Sequence, residues 1–148
     1  MPVPRATKPA CLVLRVPRGL KSPNVGRGAK WYGRHKETKA WEIDIWAAVM
    51  TRAGARSVLD VLTLDGRLNH ASARKERRRV VVTRVVPSAR NFLKDSENIL
   101  FSLKPVNDAL KRLGLIYDDS MKWLEQPMPT QEVGPAWETV IQIERLEA

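Results

Sequence analysis

Apolar residues recur along this chain at two different periods, and the change from one period to the other marks its elements. Ala10 to Val16 is a short run rich in branched residues and predicts a strand. Pro17, Gly19, Pro23, Gly26, Gly28 and Gly33 then interrupt any regular pattern, so Pro17 to Gly33 is expected to be a loop, one that also carries Arg18, Lys21, Arg27 and Lys30. From Lys36 to Met50 neither Gly nor Pro occurs, and Trp41, Ile45, Ala48 and Val49 fall at helical spacing. This predicts a helix with a largely buried face, ended by Gly54.

Ser57 to Leu64 is apolar but too short to assign, and the basic stretch Arg67 to Arg79 reads as a loop or hairpin tip. Val80 to Val86 is a β-branched run closed by Pro87, hence a strand. After a basic loop to Lys94, the residues Ile99, Leu103, Val106, Leu110 and Leu113 form one apolar stripe ending at Gly114. They predict a single helix, kinked at Pro105 and capped by the glycine. Met121 to Gln126 and Trp137 to Arg145 alternate as two strands of one antiparallel hairpin, with Pro127, Pro129 and Gly134 in the connection. The order strand, helix, strand, helix, strand, strand predicts one compact α+β domain over residues 1–148, a mixed or antiparallel sheet packed with two main helices.

Charge changes the picture from fold to partner. Lysine and arginine number 26 against 16 aspartates and glutamates, a formal charge of +10. Such an excess points to a polyanion, with nucleic acid first and an anionic membrane surface second. Cys11 is the only cysteine, which rules out an internal disulfide and a thiolate zinc site. His35 and His70 share no metal or triad spacing. No apolar run approaches the roughly 20 residues of a membrane span, and the N-terminus lacks the apolar core of a signal peptide. The expectation is a soluble cytoplasmic protein without a membrane partner or small-molecule cofactor, and any chemistry falls to carboxylates.

The tightest acidic clusters are Asp95-Ser96-Glu97 and Asp118-Asp119, on either side of the best helix. Packed carboxylates repel one another unless a divalent cation lies between them. Magnesium suits two or three carboxylates plus phosphate oxygens. Lys104 follows Glu97 by seven residues, about two turns, and shares its helix face. The same residues are also what a helix N-cap, the helix dipole and a turn before a strand favour, and Lys104 also stands in i,i+4 relation to Asp108.

The segment D-S-E-N-I-L-F-S-L-K-P-V-N-D-A-L, Asp95 to Leu110, with G-L-I-Y-D-D-S, Gly114 to Ser120, resembles the signature of RusA-type Holliday junction resolvases. V-V-V-T-R-V-V-P upstream, S-P-N and K-x-x-K-A-W are similar to the family's other landmarks; Ala55 to Arg74 has no counterpart and reads as a variable insertion. The resemblance implies a RusA-like fold and an endonuclease that cuts four-way DNA junctions by paired incisions as a homodimer, in a bacterial or phage-infected cell. It implies Asp95, Glu97 and Asp119 as metal ligands for Mg2+, with Mn2+ as a substitute, and Lys104 as the cation near the scissile phosphate. Asp118 ranks next. Glu97 departs from the family's usual aspartate, and this departure motivates the alternative of a catalytically weakened protein that binds branched DNA. A plain nucleic-acid packaging factor would explain the charge but not the acids. Arg74, Lys75, Arg77, Arg78, Arg79 and Arg84 are the expected phosphate-binding set, or else a solvated charged loop. Trp41, Trp46 and Trp137 are expected in the core, and Trp31 or Tyr32 as an aromatic wedge at a junction.

Overall fold

In the computed structural model, residues 11–20, 31–51 and 55–146 are described, apart from the side chains of 31–34 and 55–58. Strand β1 (Cys11–Val16) alternates exposed and buried positions, because Leu12, Leu14 and Val16 are its apolar set. Helix α1 (Trp31–Thr51) starts before the expected Lys36 and buries Trp41, Ile45 and Val49. Gly54, Lys21, Arg27 and Lys30 lie outside the described residues. Helix α2 (Ala55–Leu62) occupies much of the segment expected as an insertion. It puts Leu59 and Leu62 into the core, so this segment is part of the packed unit. The following basic stretch holds a 3-10 turn at His70–Ser72 and an isolated antiparallel bridge between Thr63 and Ala73.

Strand β2 (Arg78–Val86) is central. The stripe expected to be one kinked helix is two helices, α3 (Ser96–Ser102) and α4 (Lys104–Arg112). Proline lacks the N–H that a helix interior needs but fits a first turn, so Pro105 opens α4 rather than bending a longer helix. The apolar stripe itself stays intact: Ile99, Leu103, Val106, Leu110 and Leu113 are all buried. Gly114 follows α4 at φ +73°, a conformation that costs an L side chain energy but not glycine.

The C-terminal strands are β3 (Leu124–Glu125), β4 (Thr130–Val133) and β5 (Glu138–Arg145). The expected hairpin between the last two alternating runs does not form. β3 and β4 pair in parallel with β2, and β5 pairs antiparallel with β2 on its other side. β2 therefore lies between the two runs that were expected to meet. The offset along the edge changes from 124 − 78 = 46 to 130 − 83 = 47, one extra residue across Pro127 and Pro129. Prolines are tolerated there because an edge strand has one side without ladder bonds. Alternation marks residues as strand but carries no information about which strand pairs with which.

The sheet order is β1-β5-β2-β3, with β4 also on β2: a five-stranded mixed sheet in an α+β unit. α1 packs against α4 and β1, and the core lies between this helical layer and the sheet face carrying Leu12, Leu14, Val80, Val82, Ile141 and Ile143. Each such fully buried aliphatic side chain stabilises the fold by roughly 1.5–3 kcal/mol over an exposed one. Trp41 is in this core, but Trp46 is 49% exposed and Trp137 43%, so two of the three tryptophans expected inside are on the surface. The second half of α1 has apolar residues on more than one face, Ile43, Trp46 and Met50 being exposed, and helical spacing alone cannot say which of them face inward. No described helix is long and apolar enough to cross a membrane.

Candidate functional site

The α3–α4 pair and the segment that follows it carry the acidic residues. Asp95 has extended backbone geometry and caps α3, its Oδ1 accepting from the Glu97 amide at 2.9 Å. Glu97 sits exposed in the first turn of α3, where a negative charge meets the helix dipole favourably. Lys104 begins α4. Its Nζ donates to Asp119 Oδ2 at 3.1 Å, and lies 3.2 Å from Asp108 Oδ1 one turn along. The hydrogen bond to Asp119 and the charge of Asp108 raise the Lys104 pKa above its ordinary value despite some burial. Lys111, a further turn on, meets Asp118 at 3.0 Å. Lys111, with help from Ser120, holds the Asp118 carboxyl down to about 2.

The acid-bearing segment is fixed at both ends. Leu115 and Ile116 anchor it in the core. At the far end the side-chain amides of Asn107 and Gln126 exchange two hydrogen bonds, at 2.8 and 2.9 Å, tying α4 to the residues just after β3. Between these anchors Tyr117 and Trp123 meet edge to face with ring centroids 4.8 Å apart. Lys75 lies over Tyr117 at 5.8 Å and Lys122 over Trp123 at 5.2 Å. Lysines 75, 104 and 111 thus contact one short stretch that holds two aspartates and Lys122. Of these, Lys104 and Lys75 were legible in the sequence. Asn107, Gln126, Lys111 and Lys122 were not, because their roles depend on the return path of the chain past α4.

The structure places Asp95 and Glu97 at the start of α3 and Asp119 beyond the end of α4, beside Lys104. Among the described residues no three His, Cys, Asp or Glu side chains form a group that would hold a metal ion. Asp119 is neutralised by a lysine, and Asp95 spends an oxygen on its helix.

The expected phosphate-binding set divides in two. Arg78 is 1% exposed, its guanidinium donating to the carbonyls of Leu115 and Leu62 and to Glu76. Arg84 is 3% exposed and donates to the carbonyls of Leu20 and Asn91 and to Gln131. Both are structural, which corrects the expectation that they meet phosphate. They occupy inward positions of β2, where each satisfies main-chain carbonyls at the ends of neighbouring segments, and burial lowers the pKa of both. Arg79 pairs with Glu125 at 3.5 Å and Glu144 at 3.9 Å, and Arg74 donates to the Thr63 carbonyl at 3.0 Å. Lys75 and Arg77 remain exposed, joined by Arg90 and Lys94, which the sequence had shown only as a basic loop. A basic run in a strand splits by the period-2 rule, and only its outward half reaches solvent. The side chains of Trp31 and Tyr32 lie outside the described residues.

No protein-family model matches the sequence, and the search of curated proteins gives no match.

Proposed function

We propose that this chain is a structure-selective endonuclease that cuts four-way DNA junctions by paired incisions, working as a homodimer with Mg2+ as its cofactor. The observation that carries the reading is the cationic framing of the segment from Tyr117 to Trp123: Lys75, Lys104 and Lys111 contact it from outside, and Lys122 lies inside it with Asp118 and Asp119. Lysines supply attraction for phosphate, while an acid among them is costly for DNA binding and is therefore better explained by chemistry at the phosphate. The resemblance of Asp95 to Leu110 and Gly114 to Ser120 to the RusA-type signature supports the same assignment. Asp95, Glu97 and Asp119 carry the catalytic role, and Lys104 holds Asp119 in position and adds a positive charge where the phosphate comes in. A homodimer suits the substrate because a four-way junction has approximate two-fold symmetry, and two equivalent cuts call for two equivalent sites.

The pairing of Asp119 with Lys104 favours one second reading, a branched-DNA-binding protein with weakened catalysis. One experiment separates the two. The full chain is mixed with a synthetic four-way junction or with linear duplex of the same sequence, with and without Mg2+, and products are resolved on a denaturing gel. Symmetric nicks in the junction that require Mg2+ support the nuclease; junction binding without nicks supports the second reading. Absence of both sinks each of them.

A further inference from the structure

Neither the core nor the proposed chemistry uses Phe101, whose ring is 63% exposed. Its neighbour Leu100 is exposed as well, while α3 buries its other side through Ile99 and Ser102. Phe101 follows Glu97 by four residues in α3 and precedes Lys104, the first residue of α4, by three; the Lys104 ammonium is held by Asp119 and Asp108. The described tryptophans and tyrosine near the core and site are mostly engaged: Trp41 is buried with Arg18 over it at 5.4 Å, Arg84 lies over Trp137 at 5.2 Å, and Tyr117 and Trp123 contact each other. Trp46 is another exposed ring, but it belongs to α1 and not to the helix pair that carries the candidate residues.

An exposed ring on the same helix pair as lysines is a combination that grips unpaired nucleic acid: cations take the backbone and the ring takes the face of a base. Bases inside a duplex have both faces covered by their neighbours. A base at a branch point loses a neighbour and can offer a face. We infer that Phe101 is a stacking platform for an unpaired nucleobase at the branch point, and hence the residue through which the site prefers branched DNA over duplex. The inference rests on the junction reading above and names its specificity-determining contact.

The test measures binding, not cutting. Fluorescence anisotropy of the full chain is recorded, without divalent metal, on a labelled four-way junction and on duplex. A second junction carries 2-aminopurine at the branch point, whose emission changes when its ring stacks. Phe101→Ala is expected to lower the junction-over-duplex preference by about tenfold, consistent with the loss of one base–ring stack. It should also abolish the 2-aminopurine response, with duplex affinity and melting temperature unchanged, while Phe101→Trp keeps both signals. An unaltered preference and an unaltered 2-aminopurine response in Phe101→Ala overturn the inference and leave the junction reading in place. An equal loss of junction and duplex affinity overturns it too, since the ring would then serve binding in general. A wild-type chain that binds both DNAs equally overturns the junction reading itself, and this inference with it.

Discussion

Lys104 Nζ lies 3.1 Å from Asp119 Oδ2, a contact between the first residue of α4 and a residue beyond the end of that helix. The lysine is well exposed, so water and salt screen the pair and its contribution to stability is small, below about 1 kcal/mol. The contact therefore bears on chemistry more than on folding. Asp119→Asn is expected to abolish junction cutting while leaving junction affinity equal or higher, because a negative charge beside the phosphates is removed. Denaturant midpoints should barely move. Cutting at the wild-type rate in this variant would take Asp119 out of the site.

Glu97 is exposed at the start of α3 and makes no ion pair there among the described residues. On the nuclease reading Glu97→Asp preserves or raises activity, since it restores the acid usual in the signature the chain resembles. Glu97→Gln should be inactive with unchanged melting temperature. A fully active Glu97→Gln would remove this carboxylate from the chemistry.

Arg84 and Arg77 make a matched pair of opposites. Arg84→Ala strips three hydrogen bonds from Leu20, Asn91 and Gln131 and is expected to cost on the order of 3 kcal/mol by chemical denaturation. Arg77→Ala, at an exposed position, should leave stability unchanged and flatten the salt dependence of DNA binding by about 0.9 log units per log unit of salt. The reverse pattern would mean that the two guanidiniums have been given each other's roles.

Glu76 receives the guanidinium of Arg145 at 2.8 and 2.9 Å and that of Arg78 at 2.7 Å. Burial pushes its carboxyl up, but the bonds from Arg145 and Arg78 outweigh burial and hold it below the ordinary 4.5. A carboxyl whose folded pKa is depressed favours folding fully above its unfolded value, and the advantage is lost as pH falls through the folded value. Stability should accordingly decline on acidification below about pH 4.5, and more shallowly in Glu76→Gln. Parallel declines in the two proteins, followed by urea titration at several pH values, would show that Glu76 plays no part.

At Gly114 the backbone is left-handed, and an added Cβ would run into the Asn69 carbonyl. Gly114→Ala should lower stability by more than about 1 kcal/mol, combining φ strain with that clash. Thermal melting within a degree of wild type would contradict the cap.

Residues Cys11 to Val16, the body of α1, Val80 to Val86, and the stripe from Ile99 to Leu113 were legible as elements because each is defined locally: by which neighbours are apolar, at what spacing, and where proline or glycine stops the pattern. The α+β class followed from their order. The capping role of Asp95 and the glycine cap at Gly114 were legible for the same reason. Pairing was not. Whether β5 meets β3 or β2 depends on which strand can fit between them, and only the packed sheet decides that. The orientation of Arg78 and Arg84 was likewise hidden in a run of basic residues, because their burial follows from the phase of β2 against the helices. Asp119 and Lys104 were each visible as candidates. Their contact depends on Leu115 and Ile116 anchoring one end of a segment and Asn107 binding Gln126 at the other, long-range packing that no local pattern encodes.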